Sequence, residues 1–257
     1  MNNFVKSGDR IRTKPNGLDY ELNTNMSYVL KYDSWNEYSY LVENQKLELP
    51  ANYYCSEEDK NFINRVLSYY NNTSKSNIGV MLQGLKGTGK SICAKKLALD
   101  SNVPVIIVHQ EYPVAKLSDF LDTIDDSLCI IFDEIEKNKR MWDTNRLLSF
   151  LDGIQHSGKR LVIFTCNSDS ELSEFINDRC SRIRYKRVYS SMSEASVREL
   201  CLREIKDEKF AKVVHEFIMN TFKIRSFDNV LSFIEEVLNS DSEDLFEIVG
   251  ILNIETV

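Results

Sequence analysis

The sequence has 257 residues, of which 42% are hydrophobic and 28% charged, and its formal net charge at pH 7 is −7. This length suits one large domain or two modest ones, and the composition is that of a folded chain without a long disordered segment. The negative net charge argues against a protein that coats nucleic acid. It does not exclude a local cluster of basic residues on an otherwise acidic surface.

Further classes of protein are excluded by the apolar runs, the cysteines and the histidines. The longest apolar runs fall far short of the roughly 20 residues that cross a membrane, so we expect no membrane association. The N-terminus has no apolar secretory core, so we expect a cytoplasmic protein. The 6 cysteines form no Cys-x-x-Cys pair and the 3 histidines have no ligand spacing. This pattern predicts reduced cysteines and no structural metal.

Residues 1–55 are predicted to form a short β-rich region. Three runs rich in Tyr, Val and Leu, broken by Asn, Gly and Asp, favour a β-meander that ends at Pro50. The runs lie at residues 18–22, 26–32 and 37–42. Ser56 then resembles a helix N-cap, and apolar residues at helical spacing follow it as far as Tyr70.

Residues 56–189 alternate between short apolar runs and helical patterns. Such runs indicate a parallel sheet covered on both faces, which is an α/β sandwich. The predicted strands are 78–83, 103–109, 128–133 and 161–166, and the predicted helices are 90–100, about 116–125 and about 142–152.

The first predicted strand of this region leads directly into a P-loop motif. The motif is Gly84-Leu85-Lys86-Gly87-Thr88-Gly89-Lys90-Ser91. Its glycines let backbone N–H groups point inward at phosphates, and the helix that follows adds a positive dipole end. Lys90 would reach the β- and γ-phosphates, and the Ser91 hydroxyl would complete a Mg2+ shell. We therefore expect ATP and Mg2+ as cofactors.

Two adjacent carboxylates, Asp133 and Glu134, follow the strand predicted at 128–133. This is where a Walker B element should lie, because ligands bind at the carboxyl ends of parallel strands. Asp133 would help to hold Mg2+, and Glu134 would orient or deprotonate the water that attacks the γ-phosphate. The alternative is a strand that simply ends in solvated acids.

Three amphipathic patterns after residue 190 predict helices instead of strands. We assign residues 190–257 to a small helical domain. The helices are predicted at residues 193–206, 208–222 and 226–238. Residues 245–252 are apolar enough for a strand or a helix, and the pattern does not choose between them.

The P-loop, the Walker B strand and the Asn167 that ends the strand at 161–166 resemble the AAA+ ATPases. The resemblance covers roughly residues 56–238. It implies a three-layer α/β sandwich with a parallel sheet and a helical lid. In that family a polar residue in the place of Asn167, called sensor 1, hydrogen-bonds near the attacking water. An ordinary strand-ending turn residue is the alternative role for Asn167.

The resemblance also implies roles for three arginines. Arg179 and Arg182 are similar to the Arg-x-x-Arg segment whose arginine fingers act on the nucleotide of the next subunit, with Cys-Ser between them where the family commonly has Pro-Gly. A guanidinium suits this role because it stays charged and presents a rigid donor fork. Arg225 matches the nucleotide-contacting sensor 2. Solvated surface arginines are the alternative in each case.

A loop aromatic in AAA+ translocases faces the central pore and grips a polypeptide. Tyr112 and Val114 are in the corresponding loop of this chain. A tyrosine that packs locally is an equally good interpretation of Tyr112.

The function that the resemblance implies is ATP hydrolysis by a homo-oligomeric ring, a hexamer in the favoured form, which remodels a protein partner. The alternatives are a DNA-replication accessory ATPase of the helicase or clamp-loader type and a nucleotide-gated scaffold with little turnover. Runs that end at Lys137 and Tyr185 are similar to small AAA+ proteins of tailed bacteriophages, for which the location would be the host cytoplasm.

Overall fold

A computed structural model defines the fold in nine segments of the chain. The described residues are 4–13, 21–24, 26–50, 53–74, 77–109, 111–138, 158–167, 183–240 and 244–257. The chain divides into two compact units. Unit 1 comprises Met1–Gln83 and Ser91–Val188, and unit 2 comprises Gly84–Lys90 and Tyr189–Val257. The P-loop therefore groups with the C-terminal helices.

Nine strands form one sheet in the order β1-β2-β4-β3-β6-β7-β8-β5-β9. The strands are β1 (Phe4–Ser7), β2 (Arg10–Thr13), β3 (Met26–Asp33), β4 (Tyr38–Lys46), β5 (Asn77–Gly84), β6 (Val105–Val108), β7 (Leu128–Phe132), β8 (Arg160–Cys166) and β9 (Ile183–Tyr189). The pairs β3–β6, β6–β7, β7–β8 and β8–β5 are parallel. The predicted parallel sheet is confirmed.

The central strands are buried along their whole length. Every residue of β7 and of β8 is buried, as expected of parallel strands that are covered on both faces. The ring of Phe132 in β7 stacks on that of Phe164 in β8, with centroids 4.9 Å apart. This packing fixes the ends of the two strands beside each other.

The N-terminal strands continue the same sheet. β3 runs parallel to β6, with Ser27 opposite Val105 and Leu30 opposite Val108, while β4, β2 and β1 add antiparallel strands beyond it. The short strands β1 and β2 were not predicted. Of the run predicted at residues 18–22, only Glu21 and Leu22 are described, and they are not in a strand.

Three helices belong to unit 1 among the described residues, apart from two short 3-10 turns. They are α1 (Glu57–Asn72), α2 (Lys90–Asp100) and α3 (Leu117–Leu121). Ser56 caps α1 as predicted, because its hydroxyl accepts a hydrogen bond from the Asp59 N–H at 3.1 Å. The helix predicted at about 142–152 lies outside the described residues.

α3 is shorter than predicted, because a buried arginine donates hydrogen bonds to carbonyl groups at and beyond its C-terminal end. Arg160, the first residue of β8, is fully buried. Its guanidinium donates to the carbonyl oxygens of Leu121, Ile124 and Asp126, and the Leu121 carbonyl also accepts from the Ile124 N–H at 3.0 Å in a turn. Burial lowers the pKa of Arg160, and the nearby tyrosine and aspartates oppose that shift.

The C-terminal helices of unit 2 are all capped by a polar side chain. They are α4 (Glu194–Glu204), α5 (Glu208–Thr221), α6 (Phe227–Asn239) and α7 (Leu245–Ile251), capped by Ser193, Asp207, Ser226 and Asp244. Phe233 stacks on Phe217 with centroids 5.5 Å apart and meets Phe222 edge-on at 5.2 Å. The helical C-terminal region is confirmed, and the apolar stretch near its end is a helix.

The described cysteines are free thiols, as predicted, while Cys180 lies outside the described residues. Within the described segments, no helix combines the length and the apolar character needed to cross a bilayer.

Candidate functional site

The P-loop leaves the carboxyl end of β5 at Gly84 and ends in the first turn of α2. Gly84 has a φ of 136°, and a Cβ atom there would lie 1.9 Å from the carbonyl oxygen of Tyr189. Gly87 has a φ of 74°, and a Cβ atom there would lie 2.6 Å from a carboxylate oxygen of Asp228. Both positions have positive φ, which favours glycine. At Gly84 the Cβ would also meet backbone, so only glycine fits there, whereas at Gly87 it would meet the carboxylate end of a side chain.

Lys90 turns back over the loop. Its ammonium group donates to the carbonyl oxygens of Gly84 at 2.8 Å and Leu85 at 2.5 Å, and the residue is buried. The hydroxyl of Thr88 donates to the same Leu85 carbonyl at 2.6 Å. These carbonyl oxygens hold the positive charge of Lys90 against the loop backbone, and a lysine at this place in a P-loop can serve as a point charge for phosphate.

Two residues outside the motif fasten the loop within unit 2. The Leu85 N–H donates to the Tyr189 carbonyl at 3.2 Å, and the Asp228 N–H donates to the Gly87 carbonyl at 3.1 Å. Asp228 is in the first turn of α6. Burial raises the pKa of its carboxyl group, and the positive charges of Lys86 and Lys90 act in the opposite direction. Sequence reasoning missed both contacts.

In unit 1 the ends of β5, β7 and β8 share one edge of the sheet. Gln83 at the end of β5 pairs with Cys166, and Phe132 at the end of β7 pairs with Phe164. The P-loop, the two acids and Asn167 each follow one of these strand ends in sequence. The carboxyl ends of these three parallel strands therefore lie side by side at one edge of the sheet, as predicted.

Thr165 forms hydrogen bonds with both acidic residues, Asp133 and Glu134. Its hydroxyl donates to Asp133 Oδ1 at 2.6 Å and accepts from the Glu134 N–H at 2.8 Å. Asp133 is exposed and Glu134 is half-buried, while Thr165 is buried. Sequence reasoning did not select Thr165, although a hydroxyl in an otherwise apolar strand next to its end was the available signal.

Glu134 lies between an amide and an ammonium group. Its Oε1 accepts from Asn167 Nδ2 at 2.8 Å, and its Oε2 accepts from Lys137 Nζ. The Glu134 carboxylate raises the pKa of Lys137. The Asn167 N–H donates to Glu136 Oε1 at 3.0 Å. Asn167 and Glu134 are thus joined directly, which fits a pair that orients one water molecule.

The two residues predicted to hold Mg2+, Ser91 and Asp133, offer oxygen atoms, which are the ligands that this cation prefers. Thr165 uses Oδ1 of Asp133, so Oδ2 is the oxygen that can meet a hydrated cation. A carboxylate and the Ser91 hydroxyl are hard ligands, and Mg2+ usually takes one or two carboxylates together with waters and substrate phosphates. The described segments contain no cluster of three or more His, Cys, Asp or Glu side chains that could hold a metal alone.

Of the three arginines predicted to contact nucleotide, only Arg225 is among the described residues. Arg179 and Arg182 lie outside the described residues, and their role stays a prediction. Arg225 immediately precedes Ser226, the N-cap of α6, and its guanidinium donates to the Phe222 carbonyl at 3.2 Å. Its backbone N–H donates to the Ser191 hydroxyl at 3.1 Å. Within the described part of the chain its Nε is buried without a hydrogen-bond partner.

Tyr112 packs locally. Its side chain is only 2% exposed, and its hydroxyl pairs with the Ser39 hydroxyl at 2.6 Å and with the Lys116 carbonyl at 3.2 Å. Burial raises the pKa of Tyr112 to about 12. The interpretation of Tyr112 as a pore-loop residue that grips a polypeptide is therefore wrong, because its side chain is buried. The side chain of Val114 lies outside the described part of the chain.

Comparison with known proteins agrees with this fold. Residues 80–188 match the family model described as ATPase family associated with various cellular activities (AAA). The chain is similar in structure to the Thermotoga maritima RuvB Holliday junction branch migration motor, with a TM-score of 0.55 and 15% identity over 78% of this chain and 70% of that chain. A mutant of that RuvB gives a TM-score of 0.56 and 14% identity over 79% and 72%. No curated protein sequence matches the chain.

Proposed function

We propose that this chain, whose residues 80–188 match the AAA ATPase family model, hydrolyses ATP with Mg2+ and works as an oligomeric ring. The observation that carries the proposal is the ordered acid cluster beside the ends of β7 and β8. There Asp133 is held by Thr165, and Glu134 is held by Asn167. A strand that merely ended in solvated acids would not need these buried and half-buried partners.

Each group has a distinct task in the proposed reaction. The P-loop amides and Lys90 bind the β- and γ-phosphates, and Ser91 and Asp133 hold the hydrated Mg2+, which neutralises phosphate charge when it is bound. Glu134 accepts the proton of the attacking water, and Asn167 keeps the Glu134 carboxylate in place. Arg225 is proposed as a further contact to the nucleotide from the helical region.

The substitution Glu134→Gln tests this assignment. The amide keeps the size and the hydrogen bond of the side chain but cannot accept the proton, so ATP binding should persist while turnover falls by about 100-fold to 10,000-fold. Glu111→Gln removes an exposed acid of the same unit and should change neither quantity. Unchanged turnover in Glu134→Gln would remove Glu134 from its proposed role.

We propose a homo-oligomer, with a hexamer favoured, because Arg179 and Arg182 would serve the nucleotide of a neighbouring subunit. Light scattering of the Glu134→Gln chain with and without ATP and Mg2+ measures the assembly directly. A closed oligomer that depends on nucleotide supports the ring, and a persistent monomer contradicts it.

Mixing two inactive chains tests the supply of arginine fingers between subunits. Arg182→Ala should lack a finger and Lys90→Ala should lack nucleotide, so each is expected to be inactive alone. In a mixed ring an intact finger can meet an intact nucleotide site, and activity should return. A mixture that stays inactive, although it assembles, rejects fingers that act between subunits.

For the substrate we propose a protein partner that the ring remodels. A DNA-acting accessory ATPase is the second candidate, and the observation that favours it is the fold shared with RuvB, a Holliday junction branch migration motor. ATPase activity that DNA stimulates, with a steep dependence on salt, would select the second candidate. Tight ATP binding without phosphate release would instead indicate a nucleotide-gated scaffold.

A further inference from the structure

The strands β2, β4 and β3 carry a cationic and aromatic surface that the ATPase proposal does not use. Strand alternation and pairing place its residues on one side of the sheet, because Lys31 pairs with Tyr40 and Asp33 pairs with Tyr38. Arg10 and Arg12 alternate with Ile11, which is buried on the opposite side. We call the set Arg10, Arg12, Lys31, Tyr38 and Tyr40 the Arg–Tyr face.

The tyrosines of this face hold the two guanidinium groups in fixed positions. The Arg12 guanidinium carbon lies 3.9 Å from the centre of the Tyr38 ring, and that of Arg10 lies 4.8 Å from the centre of the Tyr40 ring. Arg10 and Arg12 also both donate to the Tyr38 hydroxyl, at 2.7 Å and 2.6 Å. Less side-chain entropy is lost when such preorganised cations bind an anion.

Trp35 projects from the turn between β3 and β4. The Asp33 carboxylate fixes this turn, because its Oδ1 accepts from the Trp35 and Asn36 N–H groups, both at 3.1 Å. Trp35 is nevertheless 95% exposed. A large apolar ring is therefore held in solvent by a rigid turn at one end of the face.

The charge of this surface is opposite to that of the chain. Among the described residues of β2, β3 and β4, the cations Arg10, Arg12 and Lys31 share this side with one carboxylate, Asp33, which is engaged by the turn and by Arg10 at 3.3 Å. The exposed acids Asp9 and Glu37 belong to the adjoining turns. The whole chain has a net charge of −7. A local positive surface on an acidic protein complements a phosphate backbone.

We propose that the Arg–Tyr face and Trp35 bind single-stranded nucleic acid. The arginines and Lys31 contact phosphates, and Trp35 stacks on an unpaired base, which is the combination that single-strand binding sites use. A duplex offers the phosphates but keeps its bases stacked inside, so it has no partner for the indole. Tryptophan, tyrosine and arginine also anchor protein interfaces, but the excess of positive charge favours a polyanion.

Fluorescence anisotropy with a labelled oligonucleotide of about 16 nucleotides measures the binding without ATP. Oligo-dT and oligo-U of this length distinguish DNA from RNA, and a duplex of the same length measures phosphate binding alone. The variants are Trp35→Ala, its control Trp35→Phe, and the pair Arg10→Ala with Arg12→Ala. A matched control removes two exposed cations of α5, Lys209→Ala with Lys212→Ala.

The expected pattern separates stacking from charge. Trp35→Ala should weaken binding of the single strand by roughly 5-fold to 100-fold with an unchanged salt slope, while Trp35→Phe retains most of the affinity. The Arg10 and Arg12 pair should lower the salt slope by about 1.4. The α5 pair should behave as the unsubstituted chain. A Lys90→Ala chain should still bind, so a failure of the ATPase proposal would not affect this result.

Several outcomes would overturn the proposal. Absence of binding to both oligonucleotides at low salt does so, as does binding that neither the Trp35 nor the arginine variants weaken. The proposal would also fail if duplex and single strand bound with equal affinity and Trp35→Ala did not change it. Binding would then be attraction to phosphates without recognition of bases. If oligonucleotides do not bind but Trp35→Ala removes stimulation of the ATPase by a protein partner, the face binds protein instead.

Discussion

Gly87 and Asp228 are in direct contact within unit 2. The Asp228 N–H donates to the Gly87 carbonyl at 3.1 Å, and the Asp228 carboxylate occupies the space that a side chain on Gly87 would need. The middle of the P-loop is therefore bonded to the first turn of α6. A movement of the loop at Gly87 would change this contact, so the contact would couple the loop to α6.

The substitution Gly87→Ala should destabilise the protein more than Gly89→Ala. Both glycines have positive φ, at 74° and 94°, so alanine costs about 1–2 kcal/mol at either position. A Cβ atom on Gly87 also meets Asp228, whereas nothing lies within 4 Å of one on Gly89. The clash should add about 1–3 kcal/mol in the free energy of unfolding. Urea unfolding measures both losses.

The same experiment in an Asp228→Ala background isolates the clash. There the extra loss of Gly87→Ala over Gly89→Ala should shrink, because the obstructing carboxylate is gone. Equal losses for the two glycines in the unsubstituted chain would show that the contact does not constrain the loop.

Asp228→Asn should stabilise the protein at neutral pH. Burial raises the pKa of this carboxyl group, so its ionisation disfavours the folded state at pH values above that pKa. The penalty disappears as the pH falls through the raised pKa, because the folded state then gains a proton. The difference in Tm between the variant and the unsubstituted chain should therefore be largest at neutral pH and decrease on acidification.

Glu208→Gln is the control for this pH series. Glu208 is an exposed acid in the first turn of α5, so its loss removes a similar favourable interaction with a helix dipole. It should not reproduce the stabilisation at neutral pH. A Tm difference for Asp228→Asn that does not depend on pH would contradict the assignment.

Thr165→Val should impair ATP hydrolysis with little effect on folding. Valine fills the same buried space but leaves Asp133 Oδ1 and the Glu134 N–H without the hydroxyl that joins them. Loss of such a supporting group costs about 10-fold to 100-fold in activity or metal affinity. We expect a lower kcat and a higher Mg2+ requirement in a phosphate-release assay.

Thr165→Ser retains the hydroxyl and should keep most of the activity. If valine and serine are equally active, the hydroxyl does not position the acids. If both are equally impaired, the methyl group and not the hydrogen bonds is what matters at this position.

Arg160→Met should cost about 3–5 kcal/mol in the free energy of unfolding. It fills a similar volume but removes the donors to the carbonyls of Ile124 and Asp126, which then stay buried without partners. Arg198→Met, at an exposed position of α4, should change stability by less than about 0.5 kcal/mol. Similar losses for the two variants would refute the role of Arg160 in ending α3.

Features that depend on neighbouring residues could be predicted from the sequence. The P-loop strand, the bounds of α2 and the two acids after β7 follow from spacing and local apolar runs. The strands β1 and β2 were missed because they are short and not strongly apolar, although the turn Gly8-Asp9 between them, with a φ of 63° at Gly8, is typical of a tight hairpin.

Contacts between distant residues could not be predicted from one sequence. Periodicity shows that β3 is a strand but contains no information on its pairing with β6. The contact of Asp228 with Gly87 and the bonds from Thr165 to the acids depend on how the chain is brought together, so no local pattern marks them. The buried Arg160 was hidden for the same reason, because an arginine at the start of a strand is usually solvated.

The parallel pairing of β3 with β6 also sets an order of events during synthesis. Ser27 leaves the ribosome about 80 residues before its partner Val105, which at ordinary elongation rates is a wait of roughly 4 to 16 s. During that time β3 and β4 can pair with each other and with the small hairpin before them, and an isolated pair of strands is marginal in water. The parallel neighbour that β3 needs in the sheet is therefore missing until β6 has been made.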